Sequence, residues 1–341
     1  MDVKALILKK LKEEQEVRAS DIARETGFSR VYVHRILKSL VDDGALILIG
    51  KANQAKYVAA NQGERVRESQ VTVRRILHNE GLAEHRVLED IKRATGIFVG
   101  LRTNVISIVD YAFTEMLNNA IEHSQSPRIE LSMGRTRTDV RFEVTDYGVG
   151  IFDNIMRKKH LHGRMDAIQD LLKGKETTAP ERHSGEGIFF TSKIADSLII
   201  RSAEKKLVFD NLRDDVFIKD LSALKGTRVS FAISVDATKV LADVFNRYTD
   251  DSYSFSTTKV SVKLYQGKTE YVSRSQARRI LSGLEKFRTV ELDFKGIETV
   301  GQAFADEVFR VWQTGHAKTK ILPNNANENV MFMIRRAKSG E

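Results

Sequence analysis

Glu115, Asn119 and Glu122 lie in "DYAFTEMLNNAIEHSQ" (residues 110 to 125) at positions i, i+4 and i+7. On a helix the three emerge on one face, and Phe113, Leu117, Ala120 and Ile121 supply an apolar stripe. A carboxylate and a carboxamide one turn apart suit a magnesium-nucleotide site. The amide oxygen can ligate a hard cation that already holds phosphate oxygens, and the carboxylate can orient and deprotonate a water. Further on, "DYGVG" gives Asp146, Gly148 and Gly150 directly after "VRFEVT", whose alternation is that of a strand. "HSGEGIFF" gives Gly185 and Gly187 at what reads as a helix start, where bare N–H groups and the helix dipole favour phosphate. His183 stands beside them as a candidate phosphate contact, and "KGTRVSF" puts Gly226 and Thr227 at the entry to a strand. Singly, each of these is a solvated helix face or an acidic turn. Their order makes them a set.

The elements that must position these residues follow from the rest of the chain. A length of 341 residues fits two or three domains, each able to bury a core. Hydrophobic content of 41% with 30% charged residues is ordinary for a soluble globular protein, and no apolar run is long enough to cross a bilayer. The amphipathic "MDVKALILKKLKEE" lacks the apolar core and cleavage site of a signal peptide. With no cysteine there are no disulfides and no thiolate metal sites, so a cytoplasmic setting is expected, with no membrane contact. The net charge of +9 points to an anionic partner without identifying it, because charges of both signs are interspersed.

The ordered set resembles the GHKL superfamily of Bergerat-fold ATPases, which includes type II topoisomerases, heat-shock chaperones, histidine kinases and mismatch-repair proteins. The helix resembles the N-box, "DYGVG" the G1 box, "GEG" the G2 box and "GT" the G3 position. The resemblance implies ATP and Mg2+ as ligands, with Glu115 as general base and Asn119 as magnesium ligand. It implies further that Asp146 accepts the adenine amino group, with Thr227 assisting through water. Gly148 and Gly150 would let the adenine lie close, and Gly185 and Gly187 would cradle the phosphates.

Between the G1 and G2 boxes runs a long basic stretch that by position is the ATP lid. Arg157, Lys158, Lys159, Arg164, Lys173, Lys175 and Arg182 are its candidates for a γ-phosphate contact. His160 and His162 have no third ligand nearby in sequence and read as surface histidines. A histidine kinase would carry a phosphoacceptor histidine on a two-helix hairpin. His78 and His85 lie in a stretch too short and irregular for that, and read as surface residues of a connecting helix. "EMLNNAIEH" looks closer to the anti-sigma-factor serine kinases, while Glu115 also permits hydrolysis.

In residues 1 to 62, Ser20 reads as the N-cap of a helix ending at Gly27, and Ser29 as the N-cap of a second helix that stops at Gly44. Val33, Ile36, Leu37 and Leu40 make the buried face of the second helix. "ALILIG" and "AKYVAA" read as a hairpin. The pattern resembles a winged helix-turn-helix domain, which implies DNA contact through Arg30, Tyr32, His34, Arg35 and Lys38, with Lys51 and Lys56 of the wing reaching an adjacent backbone. Winged helices also serve as protein-docking modules.

Past a polar stretch read as a linker, "VELDFKGIETVGQAF" resembles the strand–loop–helix core of STAS domains, the fold of anti-sigma-factor antagonists. Asp293 and Gly296 match that pattern. Gln302, preceded by Gly301, occupies the position of the regulatory phosphoserine and has no hydroxyl to phosphorylate. This implies a domain that docks and is not itself switched, with a protein partner or its own ATPase domain as the docking surface. The expected architecture is an α+β multidomain chain: winged helix (1–62), helical connector (63–105), Bergerat α/β sandwich ATPase (106–235), linker (236–254) and small α/β STAS-like domain (255–341). The leading function is an ATP-dependent regulator whose nucleotide state, through lid ordering or ATP-dependent homodimerisation, controls DNA binding. The alternatives are an anti-sigma-type protein kinase acting on a separate partner, or a non-catalytic nucleotide-binding scaffold.

Overall fold

The computed structural model describes residues 3–14, 16–43, 45–49, 56–59, 71–174, 186–252, 254–265 and 271–339. The chain divides into two units, Met1–Val71 and Thr72–Glu341. In the first, helices α1 (Val3–Glu14), α2 (Ala19–Thr26) and α3 (Arg30–Asp42) precede strands β1 (Leu46–Ile49) and β2 (Lys56–Ala59), which pair antiparallel. Ile7, Ile22, Val33, Leu37, Leu40 and Tyr57 are buried together, and Ile36 is partly buried. Ser29 caps α3 by accepting from Tyr32 N at 3.3 Å. Ser20 does not cap α2: Arg18 holds the extended cap position, and the Ser20 hydroxyl bonds Asp21 inside the first turn. The helix starts earlier because Ala19 and Ile22 bury together.

The second unit is built on a five-stranded sheet in the order β3-β4-β5-β7-β6. Its strands are β3 (Val71–His78), β4 (Arg128–Arg135), β5 (Asp139–Asp146), β6 (Ser197–Asp210) and β7 (Asp215–Ser234), and β4–β5, β5–β7 and β6–β7 are antiparallel. Val140, Phe142 and Val144 of β5 point to the buried face. Helices α4 (Glu84–Ala94) and α5 (Thr103–His123) contribute to the core beside the sheet. The ring of Phe142 stacks on Phe231 at 4.8 Å and meets Phe113 of α5 edge-on at 5.5 Å. Polar residues such as Glu143 and Ser230, hydrogen-bonded across β5 and β7, alternate onto the other face, as expected of an antiparallel sheet covered on one side. Of the stretch 63–105 expected as a helical connector, the described residues, 71–105, are not purely helical. They supply the edge strand β3 as well as α4, and His78 ends a strand where a connecting helix was expected.

Helices α6 (Ile151–Lys158), α7 (Arg164–Lys173) and α8 (Gly187–Ile194) lie between β5 and β6. The stretch 236–254, read as a linker, contains helix α9 (Leu241–Tyr248). Its Phe245 stacks on Phe190 of α8 at 4.1 Å, and its Tyr248 meets Phe189 edge-on at 5.0 Å. Amphipathic spacing within "LADVFNRY" carries that helix; the polar residues after it hid the signal.

A three-stranded parallel sheet, β10-β9-β8, closes the chain: β8 (Thr257–Ser261), β9 (Thr289–Asp293) and β10 (Lys320–Asn324). Helix α10 (Arg274–Leu281) starts in a capping box, Ser273 with Gln276. Helix α11 (Gln302–Asp306) runs into a π-helical turn, Glu307–Trp312, and α13 (Glu328–Lys338) follows the short α12 (Gln313–Gly315) and β10. One core joins this domain to α8: Phe189 and Phe190 are buried with Phe255, Tyr265, Phe287 and Phe304. Lys173 at the end of α7 donates to the carbonyl of Ser282 at 2.7 Å, past the end of α10, while Thr258 Oγ1 donates to Lys173 O at 2.6 Å. Gln169 Nε2 donates to Leu264 O at 3.0 Å, and the Tyr265 hydroxyl returns a bond to Gln169 O at 2.8 Å. Among the described residues no helix is long and apolar enough to cross a membrane.

Candidate functional site

Burial of Phe113 and Leu117 fixes the rotation of α5 and leaves Glu115 and Asn119 partly exposed and Glu122 exposed. The face read from the spacing is thus turned away from the sheet core, and at Glu115 it meets α8. The side chain of Asn119 makes no hydrogen bond among the described residues. Glu115 meets the start of α8, because a Cβ built on Gly187 would stand 1.9 Å from Glu115 Oε2. Tyr111, one turn before Glu115, has its phenol pushed well up by burial and then by the carboxylates of Glu115 and Glu186. The three therefore share one electrostatic environment at the head of α8. Sequence reasoning passed over both Tyr111 and Glu186, although Glu186 sits between the two glycines of "GEG".

Asp146 ends β5 with only 4% of its surface exposed. Its Oδ1 accepts from Gly148 N at 2.9 Å and from Thr227 N at 3.2 Å. Burial raises its carboxyl above the usual range, and those two bonds with one from the Thr227 side chain pull the other way. The Thr227 hydroxyl also accepts from Ile151 N at 2.9 Å, so a single threonine ties β7 to the start of α6.

The glycines have a reason the sequence did not reveal. A Cβ on Gly148 would fall 1.7 Å from the Ser124 carbonyl oxygen, which accepts from Val149 N. One on Gly150, at φ +77°, would fall 2.6 Å from Ser202 Oγ. Close approach of the chain to itself requires these positions bare, where the resemblance assigned them to adenine. The "DYGVG" turn is thereby seated on the end of α5, and Asn154 Nδ2 adds a bond to His123 O at 3.4 Å. The structure thus groups Asp146, Gly148, Gly150 and Thr227, and separately Glu115 with Gly187. His183 and Gly185 lie outside the described residues, as do Lys175 and Arg182.

Three of the cations expected as γ-phosphate candidates are engaged with other groups. Arg164 forks onto Asp153 at 2.6 and 3.0 Å and reaches Glu204 at 2.7 Å. Lys159 pairs with Asp170 at 2.7 Å, and Lys173 is buried against the C-terminal domain. Arg157 and Lys158 are exposed.

In the first unit, Arg30, Tyr32, His34, Arg35 and Lys38 are all exposed on α3. Arg35 lies over the Tyr32 ring at 5.4 Å, and His34 Nδ1 is 3.2 Å from the Tyr57 hydroxyl of β2. Lys56 is not available to a nucleic-acid backbone: it is buried and paired with Glu16 at 2.7 Å. Lys51 lies outside the described residues.

In the C-terminal domain the segment before α10 covers the head of α11. Gly301 N donates to Tyr271 O at 2.7 Å, and a Cβ on Gly301 would stand 2.8 Å from Val272 Cα. Gln302 accordingly opens α11 beneath a neighbouring strand of chain.

Residues 61–209 match the family model of the histidine kinase-like ATPase domain, and residues 276–331 match that of a STAS-like domain of unknown function (DUF4325). No curated protein matches the chain. The first match opens well before residue 106 and takes in β3 and α4, in keeping with their place beside the other strands and helices of this core. The chain carries a histidine kinase-like ATPase domain followed by a STAS-like domain of unknown function.

Proposed function

We propose that the chain is an ATP-binding, ATP-hydrolysing regulator whose nucleotide state controls how its N-terminal unit, read as a winged helix, engages DNA. The observation that carries the reading is the buried Asp146 carboxylate, held by Gly148 N and Thr227 N, together with the partly exposed Glu115 and Asn119 one turn apart on α5. Such a carboxylate suits an exocyclic amine donor, and the unpartnered Asn119 carboxamide suits a hard cation. A bound magnesium ion would neutralise phosphate oxygens and favour attack at the terminal phosphorus. Glu115 then accepts the proton of the attacking water, and the N-terminal turn of α8, beginning at Gly187, offers its N–H groups to phosphate. Exposed Arg30, Arg35 and Lys38 on α3 support contact with DNA phosphates and base edges.

Steady-state ATP hydrolysis and γ-phosphate transfer, measured in one sample with and without DNA, test this. Hydrolysis in the wild type and its loss in Glu115→Gln, with nucleotide still bound, support the reading. A Glu115→Gln variant that turns over normally overturns the hydrolytic mechanism, and phosphate transfer to a protein instead of water would establish the kinase alternative.

A further inference from the structure

A cavity of about 500 Å³ opens between the ATPase core and the C-terminal domain, away from Asp146. Its lining includes the apolar Leu171, Ile188, Val244 and Leu264 together with six lysines and arginines. Five of the six have a carboxylate partner within 4.0 Å, among them Arg247 with Glu291 (3.7 Å) and Lys259 with Asp293 (3.1 Å). Lys193, on α8, is the exception. Its ammonium lies over the rings of Phe189 at 4.9 Å and Tyr248 at 5.9 Å, with no carboxylate or carbonyl bound to it among the described residues. Asp243, the lining carboxylate outside these pairs, is exposed.

Lys193 is partly buried, and an ammonium that loses part of its hydration without gaining a counter-ion is costly, so chains ordinarily pair it. Here the local balance runs further against Lys193. Burial and then the neighbouring cations Lys259 and Arg247 outweigh the attraction of Glu291 and Asp214, lowering its amine to about 8. A small anion in the cavity reverses that imbalance, and the apolar lining residues give its body somewhere to bury.

We infer that this cavity is a second ligand site, taking a small organic molecule with one anionic group, carboxylate or phosphate monoester, paired to Lys193 and an apolar body against α7 and α9. The inference does not depend on the nucleotide reading. It gives the C-terminal domain a ligand-binding role, since β8 and β9 furnish Lys259 and Asp293 to the same lining. Because α8 carries Lys193 at one end and Gly187 at the other, an occupant would also bear on the helix that meets Glu115.

Calorimetric titration of the full chain without nucleotide tests the site, using phenyl phosphate, benzoate and the neutral benzyl alcohol as probes. One anion at least binds saturably at one site per chain, and benzyl alcohol does not. Preference for phenyl phosphate or for benzoate identifies the headgroup. Lys193→Met weakens binding about tenfold or more, as loss of a charge-assisted bond requires, and Lys193→Arg keeps it. Lys193→Gln serves the same purpose if the methionine variant does not fold. Asp146→Asn leaves anion binding unchanged, separating this site from the nucleotide site. Absence of saturable binding by either anion, wild-type binding in Lys193→Met or Lys193→Gln, or loss of binding in Asp146→Asn overturns the inference.

Discussion

Gly187→Ala should cut ATP turnover by about 10²-fold while leaving the fold intact. The added Cβ would lie 1.9 Å from Glu115 Oε2, 2.9 Å from its Cδ and 3.4 Å from its Cβ. Ordinary contact begins near 3.4 Å, so the carboxylate must retreat by roughly 1.5 Å, and it can do so by rotating about its own side-chain bonds. The off-rotamer cost is about 0.5–1.5 kcal/mol, and alanine in place of glycine returns about 0.5–1 kcal/mol to a helix. These nearly cancel, so thermal unfolding should shift by no more than a few degrees. Catalysis has no such margin. A general base must lie within about 2.6–3.2 Å of the proton it takes, and a misplacement of about 1 Å can cost on the order of 10²-fold. Gly148→Ala is the informative contrast. Its Cβ would strike the Ser124 carbonyl oxygen at 1.7 Å and carbon at 2.6 Å, backbone that cannot rotate aside, with an overpacking cost of about 1–3 kcal/mol. A coupled-enzyme ATPase assay at saturating Mg-ATP, alongside thermal unfolding of both variants, reads the two effects. Wild-type turnover in Gly187→Ala, or an undiminished melting temperature in Gly148→Ala, would refute the reasoning.

Three further outcomes are expected. Asp146→Asn should weaken ATP binding by about tenfold to a hundredfold, because an amide presents donors where the adenine amine needs an acceptor; calorimetry showing unchanged affinity would remove the adenine assignment. DNA binding should fall steeply with salt, vanish in a chain lacking residues 1–62, and weaken in Arg30→Ala and Arg35→Ala, as filter-binding or anisotropy titrations across salt concentrations will read. Lys193→Met should stabilise the protein at pH 7 by at most about 3 kcal/mol, since the folded amine titrates near 8 and the unfolded one near 10.5. Between those values the unfolded chain holds the proton that the folded chain has released, so wild-type stability gains on the variant as pH rises. Urea denaturation at pH 7 and pH 9.5 should therefore show the variant's advantage shrinking, and a constant advantage would mean that Lys193 is not held against its charge.

Local patterns sufficed for much of this molecule. The Glu115-x3-Asn119 spacing, the alternation before Asp146 and the paired glycines of "GEG" are short-range, because helix and strand periods and backbone bareness are written within a few residues. The C-terminal strand was legible for the same reason, since "VELDF" alternates ahead of Gly296. What needed the tertiary structure was every property set by a partner distant in sequence. Gly148 is bare because Ser124 arrives there, and Gly187 because Glu115 does. Lys56, Lys159, Arg164 and Lys173 look alike as exposed cations in sequence, yet each is spent on an acid or carbonyl that folding brings to it. The polar stretch after Ile233 hid a helix because Phe245 and Tyr248 acquire a meaning only beside Phe189 and Phe190. Lys193 stands out for the opposite reason: the other cations around its cavity found counter-charges when the chain folded, and among the described residues it did not. A sequence records which charges a chain has, but only the fold decides which of them are left over.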